Sequence, residues 1–259
     1  MSLPAELPLR GLRVLNPRPE AQAAALSAAL ADAGAEVLAL PLLAIEPLPL
    51  DAAARALLLD LDQYQATLFV SANAARLGLE AVADLWPQWP WQLPAYAVGA
   101  ATRQVLEAAG LAVISPERED SEGLLALPEL QAVAGQRWLL FRGDEGRELL
   151  PDSLRARGAR VDIVPLYQRS LPLEAAVQWS RLPALPDVVL ITSSLVWRHW
   201  RALAGDAALR PLLVAVSERV AAQLRAVGAQ HVLCAGAAQP GAWIDTLCRW
   251  RRGDTHGIQ

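Results

Sequence analysis

Four short turns place hydroxyl or small residues where helices should begin: "SAN" at Ser71, "GAAT" at Gly99 to Thr102, "TSS" at Thr192 to Ser194, and "SER" at Ser217. Each follows an apolar, strand-like run and precedes an amphipathic one. A helix start presents unpaired N–H groups and a partial positive charge, so such turns suit carboxylates or phosphates. Ordinary N-capping would explain each serine or threonine on its own. Their recurrence in pairs favours a shared cleft facing anions. Arginines strengthen that reading: Arg18 in "NPRPE", and Arg142 and Arg147 flanking Gly143 in "FRGDEGRE". A guanidinium binds a carboxylate through two parallel N–H donors, although a solvated surface arginine is the plain alternative. One further residue stands out. Tyr167, one of three tyrosines in the chain, sits in "VDIVPLYQRSLP", a proline-bounded stretch that reads as a connector.

Several chemistries are excluded. The 259 residues contain 23 basic side chains, all of them arginine. Without lysine there is no Schiff base and no phosphate loop of the Walker type. No GxGxxG opens a helix, so a nicotinamide or flavin site has no fingerprint. His199, His231 and His256 lack metal-ligand spacing, and Cys234 and Cys248 lack CxxC spacing. We therefore expect no metal and no cofactor. The net charge of −4 argues against nucleic acid as a partner. The two cysteines fit a reducing cytoplasm. No apolar run reaches the ~18 residues of a membrane span, and the N-terminus lacks a signal-peptide pattern.

The elements that would position these turns repeat. "RVLNPRPEAQAAALSAALADAGAEVLALP" resembles "RWLLFRGDEGRELLPDSLRARGARVDIVP", "ATLFVSANAARLGLEAV" resembles "DVVLITSSLVWRHWRAL", and "AYAVGAATRQVLEAAGLAVI" resembles "LLVAVSERVAAQLRAVGAQHVL". Each pair is separated by about 120 residues, which implies two related halves. Every block reads strand, polar turn, helix, and often Gly before the next strand, as in "LADAGAEVLAL" and "LRAVGAQHVLC". Strands such as "TLFV" and "VVLI" are apolar throughout, as expected for parallel strands covered on both faces. The expected fold is therefore α/β, with a doubly wound sheet in each half and ligands beyond the carboxyl ends of the strands. "LPLLAIEPLPLD" and "VPLYQRSLPL" read as extended connectors that could pair as a two-stranded strap. "WPQWPWQLP" reads as a tryptophan-rich turn capping a core.

In order and spacing, "VLNPRP", "TLFVSANAA", "AVGAATRQVLEAAG", "SEGLLALPEL", "LLFRGDEGRELLPDSLRARGARVDIVPLYQRS", "VLITSSLVWRHW" and "VAVSERVAAQL" together resemble the uroporphyrinogen-III synthase family. The resemblance implies two flavodoxin-like lobes joined by a two-stranded strap around a cleft. One lobe would comprise 1–40 and 171–259, the other 48–164, with 41–47 and 165–170 as the strap. It implies cyclisation of hydroxymethylbilane to uroporphyrinogen III, with inversion of the last ring and loss of water, by a cofactor-free cytoplasmic lyase. The implied partner is this small tetrapyrrole, handed over from hydroxymethylbilane synthase to a monomer. A membrane or nucleic-acid partner is not implied. Tyr167 matches the family's strap tyrosine, which would help the substrate hydroxyl leave, since phenols stay protonated near neutral pH. Thr102, Ser71 and Ser193 match residues the family places near its cleft. The second lobe departs from pattern: "VSERV" puts Ser217 where many members carry glycine and Val220 where they carry threonine, so no threonine role transfers there. The rival reading is a non-catalytic, two-lobed sensor of a small anionic ligand.

Overall fold

The computed structural model of the chain describes residues 7–254. The first six residues and His256 lie outside them. The elements run β1 (Arg13–Asn16), α1 (Glu20–Asp32), β2 (Glu36–Ala39), β3 (Ala44–Pro47), α2 (Ala52–Leu59), β4 (Ala66–Phe69) and α3 (Ala72–Ala83). There follow β5 (Ala95–Ala97), α4 (Ala100–Ala108), β6 (Val113–Ile114), α5 (Ser121–Leu125), β7 (Arg137–Gly143), α6 (Leu149–Ala156) and β8 (Arg160–Ser170). The last third holds α7 (Ala175–Ser180), β9 (Val188–Ile191), α8 (Ser194–Ala204), β10 (Leu212–Ala215), α9 (Glu218–Ala226), β11 (Val232–Cys234) and α10 (Pro240–Arg251).

The chain divides into two units, Met1–Ala44 with Ser170–Gln259, and Ile45–Arg169. The first contains a five-stranded sheet in the order β11-β10-β9-β1-β2. The second contains a six-stranded sheet in the order β3-β8-β7-β4-β5-β6. Set side by side, β6-β5-β4-β7-β8 repeats β11-β10-β9-β1-β2, a flavodoxin-like order in both. The internal sequence repeat is thus a repeat of topology. The β1-α1-β2 segment, first in the chain, completes the sheet whose other strands come last.

Local chemistry accounts for the elements. Gly34 and Gly228 follow α1 and α9 with φ of 93° and 90°, left-handed values that a glycine adopts without a Cβ clash and that end each helix. β4, β9 and β10 are buried along their whole length, because both sheet faces are covered. In the second unit Leu139 and Phe141 point to one face, where Phe69 stacks on Phe141 at 4.6 Å, while Trp138 and Leu140 point to the other. In the first, Val189 and Ile191 alternate in the same way with Val188 and Leu190.

The stretch around Tyr167, read as an extended connector, is the far half of the eleven-residue strand β8, which pairs with β3. Pro165 offers no N–H to a neighbour, and the β7–β8 register slips beside it: Arg142 faces Pro165, then Gly143 faces Tyr167. The other proline-bounded segment lies alongside, with Leu48 N donating to Leu166 O at 2.9 Å. In the tryptophan-rich turn, Trp86 and Trp89 pack on the core and donate their indole N–H groups to Leu58 O and Leu93 O. Trp91 projects outward.

Candidate functional site

In the second unit the strand order reverses between β4 and β7, which opens a crevice beyond their carboxyl ends. A cavity of about 680 Å3 fills that crevice, its wall formed by Ser71, Arg142, Gly143, Arg147, Tyr167 and Arg169. Val70, Leu140 and Leu150 supply apolar surface.

Tyr167 is the centre of this arrangement. It is 1% exposed, with its ring in the core cluster of Phe69 and Phe141. The slipped register brings it opposite Gly143, whose missing side chain leaves space for the ring. The Tyr167 hydroxyl lies 3.0 Å from Ser71 Oγ, and either oxygen can donate. Ser71 is also the N-cap of α3: its Oγ accepts from Ala74 N at 3.1 Å. One hydroxyl therefore ends a helix and touches the phenol, so the start of α3 fixes the tyrosine's polar end. Arg169 sets its guanidinium carbon 5.7 Å from the phenol ring centroid.

The electrostatics are mixed. Arg142 is held mostly inside, with Nη2 donating to Glu148 Oε1 at 2.8 Å, and its buried Nε finds no hydrogen-bond partner among the described residues. Arg147 and Arg169 bring two more guanidinium groups, against the carboxylates of Asp144 and Glu145. Ser121, first residue of α5, also lines the cavity beside Asp120. A hydrogen bond from Gly123 N–H holds the Asp120 carboxyl below the usual range, with help from Arg118.

The other expected site residues lie elsewhere. Thr102 is 4% exposed in the first turns of α4 and does not line the cavity. The start of α4 already holds a carboxylate, since Ala100 N donates to Glu119 Oε2 at 3.1 Å. Arg18, Ser193 and Ser217 belong to the first unit. Arg18 Nη2 donates to Ala238 O at 2.7 Å, and burial lowers its pKa from the ordinary value. Ser193 caps α8 by accepting from Val196 N, the counterpart of Ser71. Ser217 begins α9 without a side-chain cap, while Arg219 Nη1 reaches Ser194 Oγ at 3.3 Å. His199 Nδ1 lies 2.6 Å from Leu42 O, a structural tie.

Sequence reasoning missed Arg169, Asp144, Glu145 and Ser121. Arg169 had a usable signal: strand side chains two apart share a face, so residue 169 follows Tyr167 wherever β8 points it.

The fold and cavity define a doubly wound α/β protein with an arginine-lined pocket at a topological switch point. A family model described as uroporphyrinogen-III synthase HemD matches residues 24–245. The uroporphyrinogen-III synthase of Escherichia coli K12 is 37% identical over 179 residues, 62% of this chain and 69% of that protein. That of Salmonella typhimurium is 36% identical over 169 residues, covering 61% and 68%. Among solved structures, a mutant uroporphyrinogen III synthase from Thermus thermophilus superposes with a TM-score of 0.60 at 20% identity, over 95% of this chain and all of that one. The Helicobacter pylori uroporphyrinogen-III synthetase gives 0.61 at 15% identity, over 92% and 97%. The chain belongs to the uroporphyrinogen-III synthase family.

Proposed function

We propose that this chain is a uroporphyrinogen-III synthase: a lyase that closes hydroxymethylbilane, inverts its last ring and releases water. The observation that carries the mechanism is the Ser71–Tyr167 pair, 3.0 Å apart at the wall of an arginine-lined cavity. Family membership favours this reading over a non-catalytic sensor of an anionic ligand.

In this reading Tyr167 is the catalytic residue. Its phenol donates a proton to the substrate hydroxyl, the C–O bond breaks, and water leaves. The electron pair of the adjoining pyrrole nitrogen compensates the carbon, giving an azafulvene in its N-protonated, cationic form. The last ring then attacks through its substituted carbon to form a spiro intermediate, which rearranges. The proton lost on final closure balances the one given to the hydroxyl, so the net loss is water. Free in solution, the azafulvene closes without inversion, so the protein's task is positional control rather than strong nucleophilic chemistry. Ser71 orients the phenol. Every ring of the bilane carries carboxylate arms, and Arg142, Arg147, Gly143, Arg18, Ser193 and Ser217 are proposed to bind them through side-chain or backbone donors. The reaction needs no cofactor. It belongs to tetrapyrrole synthesis in the cytoplasm, as a monomer receiving its substrate from hydroxymethylbilane synthase. Among the described residues no helix is long and apolar enough to cross a membrane.

The test is to incubate the pure protein with enzymatically generated hydroxymethylbilane and separate the oxidised products by isomer. The type III isomer is expected. Formation of type I alone would reject the assignment.

A further inference from the structure

We infer that Arg169 is a substrate-positioning residue, gripping the carboxylate arm of the same pyrrole ring that loses its hydroxyl at Tyr167. The inference rests on the synthase reading and extends it to a residue with no role assigned so far.

Three guanidinium groups line the cavity, and they are not equivalent. Arg142 is already engaged by Glu148. Arg169 is exposed. Its hydrogen bond from Nη1 to Glu145 O is stretched to 3.5 Å. An arginine on a strand edge normally samples many rotamers, and binding through it costs the entropy of stopping that motion. Here the Tyr167 ring limits the motion, with the guanidinium carbon 5.7 Å from the ring centroid, inside the range of a cation–π contact. The Nε–Nη2 edge of the guanidinium, which the Glu145 contact does not use, suits a two-pronged grip on a carboxylate. The phenol thus orients an exposed cation beside itself.

The substrate's own geometry fits this pairing. On the pyrrole carrying the hydroxymethyl group, the neighbouring ring carbon carries a carboxylate arm. With the hydroxyl at the Tyr167 phenol, that arm starts beside Arg169. A grip there would hold the ring after water has gone, when the azafulvene is most able to turn and close the wrong way. Arg169 would therefore contribute to isomer fidelity as well as affinity.

The experiment compares the native chain with Arg169→Gln and Arg169→Lys in steady-state assays on enzymatically generated hydroxymethylbilane. Spontaneous closure is subtracted, and both KM and the type III fraction are read. Arg169→Gln should raise KM roughly tenfold, the value of one charge-assisted contact, and shift product toward type I. Arg169→Lys keeps the charge but loses the fork, so it should recover part of KM and less of the fidelity. Native values of both quantities in both variants would overturn the inference. So would a KM rise that moderate salt abolishes with the isomer fraction unmoved, since that marks general attraction of an anion. Loss of the synthase reading itself looks different: the native chain would then yield no type III product.

Discussion

Gly143 faces Tyr167 across the β7–β8 pairing so closely that a Cβ at position 143 would stand 2.8 Å from Tyr167 Cε2 and 3.1 Å from Tyr167 O. The glycine is therefore a steric condition for the phenol's position. Gly143→Ala should push the ring off Ser71. The backbone contact prevents full relief by side-chain rotation, so a stability loss of about 1–3 kcal/mol is expected from overpacking. Activity should fall further, by roughly 10²-fold in kcat, because displacement of an aligned group by about 1 Å carries that cost. Thermal melts beside kcat would check both, and a variant as active as the native chain would show that the close approach has no catalytic meaning.

Tyr167→Phe removes only the hydroxyl from a ring that stays packed on the core. Turnover should drop by about 10²-fold, the usual contribution of one positioned proton donor, with KM little changed. The loss to stability should stay at about 1 kcal/mol, since Ser71 Oγ keeps its bond from Ala74 N. Unchanged kcat would remove Tyr167 from the chemistry.

Ser71 has two jobs that a control separates. Ser71→Ala deletes the α3 cap and the phenol's partner together. Asp51→Ala deletes a comparable cap, since Asp51 Oδ1 accepts from Ala54 N at the start of α2, outside the cavity wall. Both should cost about 1 kcal/mol of stability. Only Ser71→Ala should also lower kcat. Equal activity in the two variants would reduce Ser71 to a helix cap.

The turn that carries three tryptophans divides by burial. Trp86→Ala or Trp89→Ala removes an indole packed on the core together with its N–H bond, and should cost roughly 3 kcal/mol. Trp91 is 87% exposed, so Trp91→Ala should change stability by no more than about 0.5 kcal/mol. Urea titration of the three variants checks the division, and a large loss at Trp91 would contradict it.

The strand–turn–helix alternation was legible because it rests on local rules: uniformly apolar runs for covered parallel strands, and glycine where a helix must end. The repeat carried the pairing of halves for the same reason. That Tyr167 lies in a sheet strand was not legible, because Pro165 argues against a strand when taken alone. Only the slipped pairing with Arg142 and Gly143 shows how the strand tolerates it. The start of α4 shows the same limit. "GAAT" reads as an open anion site, and nothing local announces that the Glu119 carboxylate takes the Ala100 N–H. Arg169 went unnoticed since its neighbour's orientation had first to be known.

A cluster at the opposite ends of the strands predicts acid behaviour. Asp162 Oδ2 accepts from the Tyr64 hydroxyl at 2.9 Å and from Arg137 Nη2 at 3.1 Å, while Arg137 also covers the Tyr64 ring. Desolvation favours the protonated acid, but the hydrogen bonds from Tyr64 and Arg137 outweigh it, so the Asp162 carboxyl stays below its ordinary value. Burial, reinforced by Asp162, raises the Tyr64 phenol. A depressed carboxyl stabilises the fold fully above its unfolded value of ~3.9 and loses that contribution as pH falls through the folded value. The native chain should therefore lose stability faster than Asp162→Asn below about pH 4. At neutral pH the variant should be weaker by about 1–3 kcal/mol, having exchanged two bonds to a charged oxygen for bonds to an amide. Denaturant midpoints measured from about pH 7 to about pH 3 would show two curves that converge in acid. Parallel curves across that span would mean that Asp162 titrates alike in the folded and unfolded chain.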